Sequence, residues 1–196
     1  MADSLLPADV EPLLRGRFGR PYVYAESCPS TQRLLPDDAP EGALAVADHQ
    51  TAGRGRRGTE WVDAPGTSLL LSLVLRPTVP AALLPELTVV AARAVVEAVA
   101  GLGVDAAVKR PNDVLAGGRK LAGLLGEAAE GRVVLGIGVN VNQTAAELPA
   151  EARLPPTSLR LETGHPVERA RLLADVLARL EAGYDAWVSS SGAPAG

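Results

Sequence analysis

The sequence predicts an α+β fold, a mixed or antiparallel central β-sheet flanked by helices. Three observations predict it. Five short apolar runs stand at 43–48, 67–77, 104–115, 120–130 and 132–142. Most of them follow one another directly in the chain, without the regular strand–helix alternation that builds a parallel sheet. Two stretches with helical periodicity are inserted between and after these groups.

Each element has its own signal. Residues 1–20 read as a short amphipathic helix or arm. ALAVAD, 43–48, is a short strand that leads into a glycine–arginine loop. TSLLLSLVLRP, 67–77, is a nearly continuous apolar run, as expected of a strand covered on both faces. Leu87, Val90, Ala91, Ala94, Val95, Ala98 and Val99 form one face of a helix with 3.6 residues per turn, and Gly101 and Gly103 end it. VDAAVKRPNDVL, 104–115, reads as a strand running into a Pro-Asn-Asp turn. AGGRK supplies a hairpin-like turn. KLAGLLGEAAE and RVVLGIGVNVN are then two strands joined at Gly131. The Pro-rich stretch 143–158 is a loop. The last helix is expected to start at Pro166, with Leu173, Val176, Leu177, Leu180, Tyr184 and Trp187 as its buried stripe. One domain over 1–188 and a disordered tail over 189–196 complete the expected organisation.

Bulk composition narrows the function. Hydrophobic residues make up 47% of the 196 residues, enough for a true core, while aromatics make up only 3%, so Trp61 and Trp187 are informative. A net charge of −4 argues against a general nucleic-acid binder. Cys28 is the only cysteine, which leaves no intramolecular disulfide and no cysteine zinc site. No run reaches ~18 apolar residues and the start does not read as a signal peptide, so a soluble cytoplasmic protein with no membrane partner is expected.

Against that acidic background, HQTAGRGRRGTEW (49–61) interleaves Gly53, Gly55 and Gly58 with Arg54, Arg56 and Arg57. Glycine lets the backbone take φ > 0 and lets a ligand approach closely. Arginine presents a planar fork of donors to phosphate or carboxylate oxygens. A single Gly-Arg pair is ordinary solvated loop; this alternation between two apolar strands describes a cationic flap. Standard nucleotide loops are excluded. No Gly-rich loop ends in Lys-Ser/Thr, and Val141 stands where a dinucleotide fingerprint after Gly136 and Gly138 needs Gly or Ala. His49 and His165 lack an obvious partner set, no G-x-S-x-G elbow is present, and Cys28 has no sequence-evident activator. His49 carries more weight than His165 because it abuts the flap.

A second constellation is Lys109-Arg110-Pro111-Asn112-Asp113, with Lys120 seven residues beyond Asp113. It reads as a tight turn, and equally as anion and Mg²⁺ chemistry, with lysine as a point charge and Asp as a hard oxygen donor. Gly123, Gly126, Gly136, Gly138 and Asn140 suggest a sheet face cleared of side chains beneath a ligand. Flap, glycine floor and the Lys/Asn/Asp cluster together describe a cleft for an anionic, adenylated ligand.

The ordered set GRGRRG with Trp61, KRPNDVL, RKLAGLLGE, VVLGIGVNVN and Thr157-Ser158-Leu159, preceded by PSTQRLL (29–35), resembles the biotin protein ligases, also called biotin–[acetyl-CoA-carboxylase] ligases. The resemblance spans about residues 22 to 188. It implies the biotin ligase catalytic domain, related in fold to class II aminoacyl-tRNA synthetases. It also implies a two-step ATP-dependent reaction: biotinyl-5′-AMP forms from biotin and ATP, then biotin passes to a lysine of a biotin carboxyl carrier protein. Position by position, Ser30, Thr31, Gln32, Gln50 and Gly123 match biotin contacts, and Arg54, Gly55 and Arg56 match the flap over biotin and adenylate. Lys120 matches the lysine at biotin's carboxyl end, the main catalytic charge together with Arg56. Arg56, Arg57, Trp61, Asn112 and Asn140 match positions near ATP, and Asp113 matches a Mg²⁺ or structural partner.

Three departures stand out. Arg110 replaces the family's usual Trp, Thr59 replaces an Arg, and the sequence ends where most members continue into a small C-terminal barrel. The N-terminal segment is shorter than a DNA-binding winged helix, so no operator binding is expected. A homodimer is compatible with the resemblance. Two alternatives remain beside the ligase: a lipoate–protein ligase of the same fold, and a biotin- or adenylate-binding protein without transfer activity.

Overall fold

The computed structural model describes residues 3–129, 131–150 and 152–191. The N-terminal arm holds a one-turn helix, α1 (Pro7–Val10), and a 3₁₀ turn (Glu11–Leu13). Its apolar side chains Leu5, Val10, Leu14 and Phe18 are buried in the main core. Strand β1 (Tyr22–Ala25) and a 3₁₀ turn (Thr31–Leu34) lead to β2 (Leu44–Ala47). The glycine–arginine loop contains two two-residue strands, β3 (Gly53–Arg54) and β4 (Glu60–Trp61), which pair only with each other. Then come β5 (Ser68–Leu75), α2 (Leu87–Ala100), β6 (Ala106–Lys109), β7 (Asp113–Ala116), β8 (Arg119–Ala129), β9 (Arg132–Asn140), α3 (Leu159–Thr163) and α4 (Arg169–Ser191).

The main sheet has seven strands in the order β1-β2-β5-β9-β8-β7-β6. Only β1 and β2 run parallel; every other neighbour is antiparallel. The mixed sheet expected from the sequence is therefore present. Period-two alternation assigns the two faces. Leu69, Leu71, Leu73 and Leu75 of β5 join Leu135, Ile137 and Val139 of β9 in the main core with the buried stripes of α2 and α4. On the opposite face Val74 and Val134 pack in a second small cluster with Leu35, Ala39, Ala43 and Ala45. All eight residues of β5 are buried, as a strand sandwiched between two cores must be.

Several boundaries differ from the sequence reading. The 104–115 run is two strands, because the chain turns at Arg110–Asn112 and pairs back, Lys109 opposite Asp113. The β7–β8 turn places Gly117 and Gly118 at φ 54° and 76°, the pair of positive angles that a tight hairpin requires. The last helix starts at Arg169 rather than Pro166. The Arg169 backbone N–H is taken by the Asp3 carboxylate at 2.9 Å, and Val167 N–H by Asn142 Oδ1 at 2.8 Å. These contacts hold residues 166–168 outside the helix. Residues 189–191, read as tail, continue the helix, and the rest of that tail lies outside the described residues. Helix α3 was missed, although its Ser158 cap and left-handed Gly164 (φ 81°) are ordinary start and stop signals. Among the described residues no helix is long and apolar enough to cross a membrane.

Candidate functional site

The open face of the sheet carries a cavity of about 720 Å³, roofed by the flap. Its floor is glycine. Gly123 and Gly138 are register partners in β8 and β9, and Gly136 lies two residues along from Gly138. The clearance is needed: a Cβ on Gly138 would stand 2.7 Å from Trp61 Cε2, and one on Gly123 would stand 3.1 Å from Trp61 Cζ3. The indole therefore lies directly on the floor. Gly126, expected with the others, is on the helix side, where a Cβ would meet Thr88 of α2.

One corner of the cavity is polar. Gln50 Oε1 accepts from the Thr31 backbone N–H at 2.8 Å and from Thr31 Oγ1 at 3.2 Å. Thr31 Oγ1 lies 2.7 Å from Ser72 Oγ in the floor. Ser30 and Thr31 are almost fully buried. Gln32 Oε1 accepts from Arg54 Nη2 at 2.8 Å. Gln32 Nε2 and Trp61 Nε1 are buried without a partner, and both residues line the cavity. Two orphaned donors in one cavity point to a ligand with acceptor atoms.

The flap is braced across its own turn. Gly55 N–H donates to Thr59 O at 2.7 Å, and Thr59 Oγ1 donates to Arg56 O at 2.9 Å. Thr59, a departure from the resemblance, thus closes the turn, and a Cβ at Gly55 would collide with its hydroxyl at 2.5 Å. Arg57 sits at φ 58°, a left-handed conformation that costs a non-glycine residue ~1 kcal/mol. Arg54 Nη2 pairs with Glu127 Oε2 of β8 at 2.7 Å, and Arg56 Nη1 reaches Asn112 Oδ1 at 3.3 Å.

Lys120 owes its direction to a bulge. The β7–β8 register steps from Val114 opposite Ala122 to Leu115 opposite Lys120, so Leu121 is an extra residue. The bulge resets the alternation and aims Lys120 toward Gly123, where a Cβ would meet its Nζ at 3.2 Å. Lys120 Nζ lies 2.8 Å from Asp113 Oδ1, and Lys109 Nζ lies 3.8 Å from Asp113 Oδ2. The Asp113 side chain is only 7% exposed. The main chain of Lys120 is clamped as well, its N–H on Pro155 O at 2.8 Å and its carbonyl under Thr157 N–H at 2.9 Å.

The structure gathers Ser30, Thr31, Gln32, Gln50, Arg54, Gly55, Arg56, Arg57, Trp61, Asn112, Asp113, Lys120 and Gly123 around this one cavity. Asn140 is the exception. It is buried, donates to Thr157 O at 2.9 Å, and is absent from the cavity wall, so it fastens the segment that clamps Lys120. Sequence reasoning missed Arg153, which reaches the cavity from the 143–158 loop, and Glu127, the partner of Arg54. Seven basic and two acidic side chains (Glu60 and Asp113) line the cavity, a formal +5 within a chain of −4. Cys28, near the flap base, has its thiol pushed up by burial, which disfavours a thiolate nucleophile.

Asp113 stands as the ion-pair partner of two lysines. Both of its oxygens face lysine ammonium groups, and among the described residues no group of three or more His, Cys, Asp or Glu could hold a metal ion.

Comparison with known proteins agrees with this geometry. Residues 24–143 match the sequence model of the biotin/lipoate A/B protein ligase family. The chain belongs to that family. A relative is the bifunctional ligase/repressor BirA of Bacillus subtilis, 40% identical over 177 residues, which cover 85% of this chain and 54% of that protein. Another is the biotin–[acetyl-CoA-carboxylase] ligase of Mycobacterium tuberculosis, 39% identical over 152 residues, 75% of this chain and 56% of the relative. The chain thus spans about half the length of the curated relatives it matches. Among solved structures, biotin protein ligase from Aquifex aeolicus in complex with biotin and ATP superposes with a TM-score of 0.78 at 33% identity, covering 86% of this chain and 72% of that one. The fold is that of a biotin protein ligase catalytic domain.

Proposed function

We propose that this ligase-family chain is an ATP-dependent biotin protein ligase. In the first step a carboxylate oxygen of biotin attacks the α-phosphorus of ATP. The bond to the β-phosphate oxygen breaks, and pyrophosphate leaves. In the second, the ε-amine of a lysine on a biotin carboxyl carrier protein attacks the acyl carbon, loses a proton, and AMP leaves. The single observation that carries the reading is the juxtaposition of the arginine flap and Lys120 across one glycine floor.

The residues divide the work by chemistry. Ser30, Thr31, Gln32 and Gln50 supply hydrogen-bonding groups at the polar corner, suited to a neutral ureido ring. Lys120 meets the carboxylate, and Arg56 and Arg57 meet the phosphates, so that two anions are brought together among cations. Asp113 orients the Lys120 ammonium. Closure of the flap and Trp61 over the floor excludes water from a hydrolysable anhydride. Magnesium would enter with the nucleotide and would neutralise charge on the leaving pyrophosphate; Asp113 and Glu60 are the carboxylates of the cavity wall that would hold it.

The test is to incubate the protein with ATP, biotin and a carrier domain, and to probe the carrier for biotin. Biotin on the carrier's lysine supports the reading. Adenylate formation with no labelled carrier would leave a binding or adenylating protein, and labelling with lipoate alone would assign the sister activity.

A further inference from the structure

The flap has two ends, and both converge on one carboxylate. The Asp63 side chain is fully shielded from solvent. Its Oδ2 lies 2.9 Å from His49 Nδ1, and its Oδ1 accepts from the Gln50 backbone N–H at 3.4 Å. An ionised carboxylate can only accept, so the imidazole Nδ1 carries the proton whether the ring is neutral or charged. His49 opens the flap segment, and Asp63 stands two residues past Trp61. The near end is anchored independently: Cys28 N–H donates to His49 O at 3.1 Å, and Thr51 N–H donates to Cys28 O at 2.9 Å. The far end is tied to that anchor by Gly66 N–H on Asp48 O at 2.9 Å and by the β3–β4 pairing, and between these two ties the only side-chain link among the described residues is the Asp63 carboxylate.

Neither His49 nor Asp63 lines the cavity, so neither touches a ligand there. Their effect passes through Gln50. Asp63 fixes the Gln50 main chain, while the Gln50 side chain holds Thr31, which meets Ser72 in the floor. A wholly buried carboxylate with two donors is expensive unless both are kept. We propose that His49 and Asp63 are a positioning pair, a clasp that joins the two ends of the flap and sets how long it stays closed over the adenylate. The part concerning adenylate rests on the ligase reading above; the part concerning the flap does not.

Two measurements separate these parts. The first is limited trypsin digestion of the ligand-free protein, with cut sites mapped by mass spectrometry. Arg54, Arg56 and Arg57 become cleavable when the flap opens locally. Asp63→Asn and His49→Phe should each raise cleavage at these arginines about tenfold, since a hydrogen bond to a charged group is lost, while the melting temperature falls by only ~3–6 °C. The double variant should be no worse than either single one. His49→Gln, whose amide can still donate to Asp63, should restore protection. The second is the half-life of bound adenylate, expected to fall about tenfold in the same variants, while the rate of its formation at saturating biotin changes less.

Unchanged cleavage and retention would overturn the proposal. So would flap cleavage rising only in step with global unfolding, because that marks a merely structural pair. If Asp63→Asn does not fold, His49→Phe, at the partly exposed partner, still decides the matter. If the unmodified protein forms no adenylate, the ligase reading fails while the digestion still judges the clasp.

Discussion

Adding one methyl group to the floor should open the roof. In Gly138→Ala the new Cβ would lie 2.7, 2.8 and 3.0 Å from three indole carbons of Trp61. Carbon atoms rest at ~3.5–4.0 Å, so the ring must lift by about 1 Å. The floor cannot yield, because β9 is paired along its length with β5 on one side and β8 on the other. Trp61 can, because it belongs to a ribbon whose only strand partner is its own other half. The strain of overpacking, ~1–3 kcal/mol, therefore falls on flap closure, and biotin affinity should drop roughly ten- to a hundredfold. Calorimetric titration with biotin reads the affinity, tryptophan emission reads the indole, and thermal unfolding reads the fold. The melting temperature should move by less than ~3 °C. Gly136→Ala is the control: its Cβ would stand 3.4 Å from Gln32 Nε2, tight but tolerable. Wild-type affinity and emission in Gly138→Ala would refute the reasoning, as would a large fall in melting temperature that matched the loss of binding.

Three further outcomes follow from the same structure. Lys120→Gln should slow adenylate formation ~10²–10³-fold, as expected when a charge that stabilises the transition state is removed; single-turnover assays with labelled ATP check this. Arg169→Met should destabilise the protein by ~3 kcal/mol, because its 3% exposed side chain pairs with both Asp3 and Asp48 at 2.7 Å. Chemical denaturation should show that loss with the biotin KM unchanged. Stability should also fall as pH rises above about 10, the unfolded tyrosine value. Burial raises the Tyr22 and Tyr184 phenols, and a hydrogen bond to Asp48 raises Tyr24 to about 12. Folded protein thus keeps protons that unfolded chain gives up. The stabilisation is complete below pH ~10 and is lost as pH climbs through the folded values. Phenolate absorbance titrated in folded and urea-unfolded protein tests it, and coincident curves would count against it.

How much of this was legible in the sequence depends on how local the cause was. The sandwiched strand β5 and the stripe of α2 were legible because burial imposes periods of two and 3.6 on the sequence itself. The flap was legible because alternating glycine and arginine has few other uses beside a strand. The glycine floor was legible at Gly123, Gly136 and Gly138 but not at Gly126, whose face depends on the register. Lys120 was singled out by its place seven residues beyond Asp113 and given its role by resemblance, yet its direction is set by the bulge at Leu121, which depends on pairing with β7. Asn140 sits on the cavity side of β9 yet turns to the 157 carbonyl, a contact from a segment that no periodicity locates. The start of α4 was misplaced because Asp3, from the far end of the chain, takes the Arg169 N–H. The partners of His49 and Arg54, Asp63 and Glu127, were invisible for the same reason.

Exchange of labelled pyrophosphate into ATP in the presence of biotin tests most directly whether the arginine flap and Lys120 join biotin to the nucleotide. Exchange that requires biotin, is not supported by lipoate and disappears in Lys120→Gln is the predicted result. Exchange without biotin, exchange driven by lipoate, or none at all in protein that binds both biotin and ATP would contradict it.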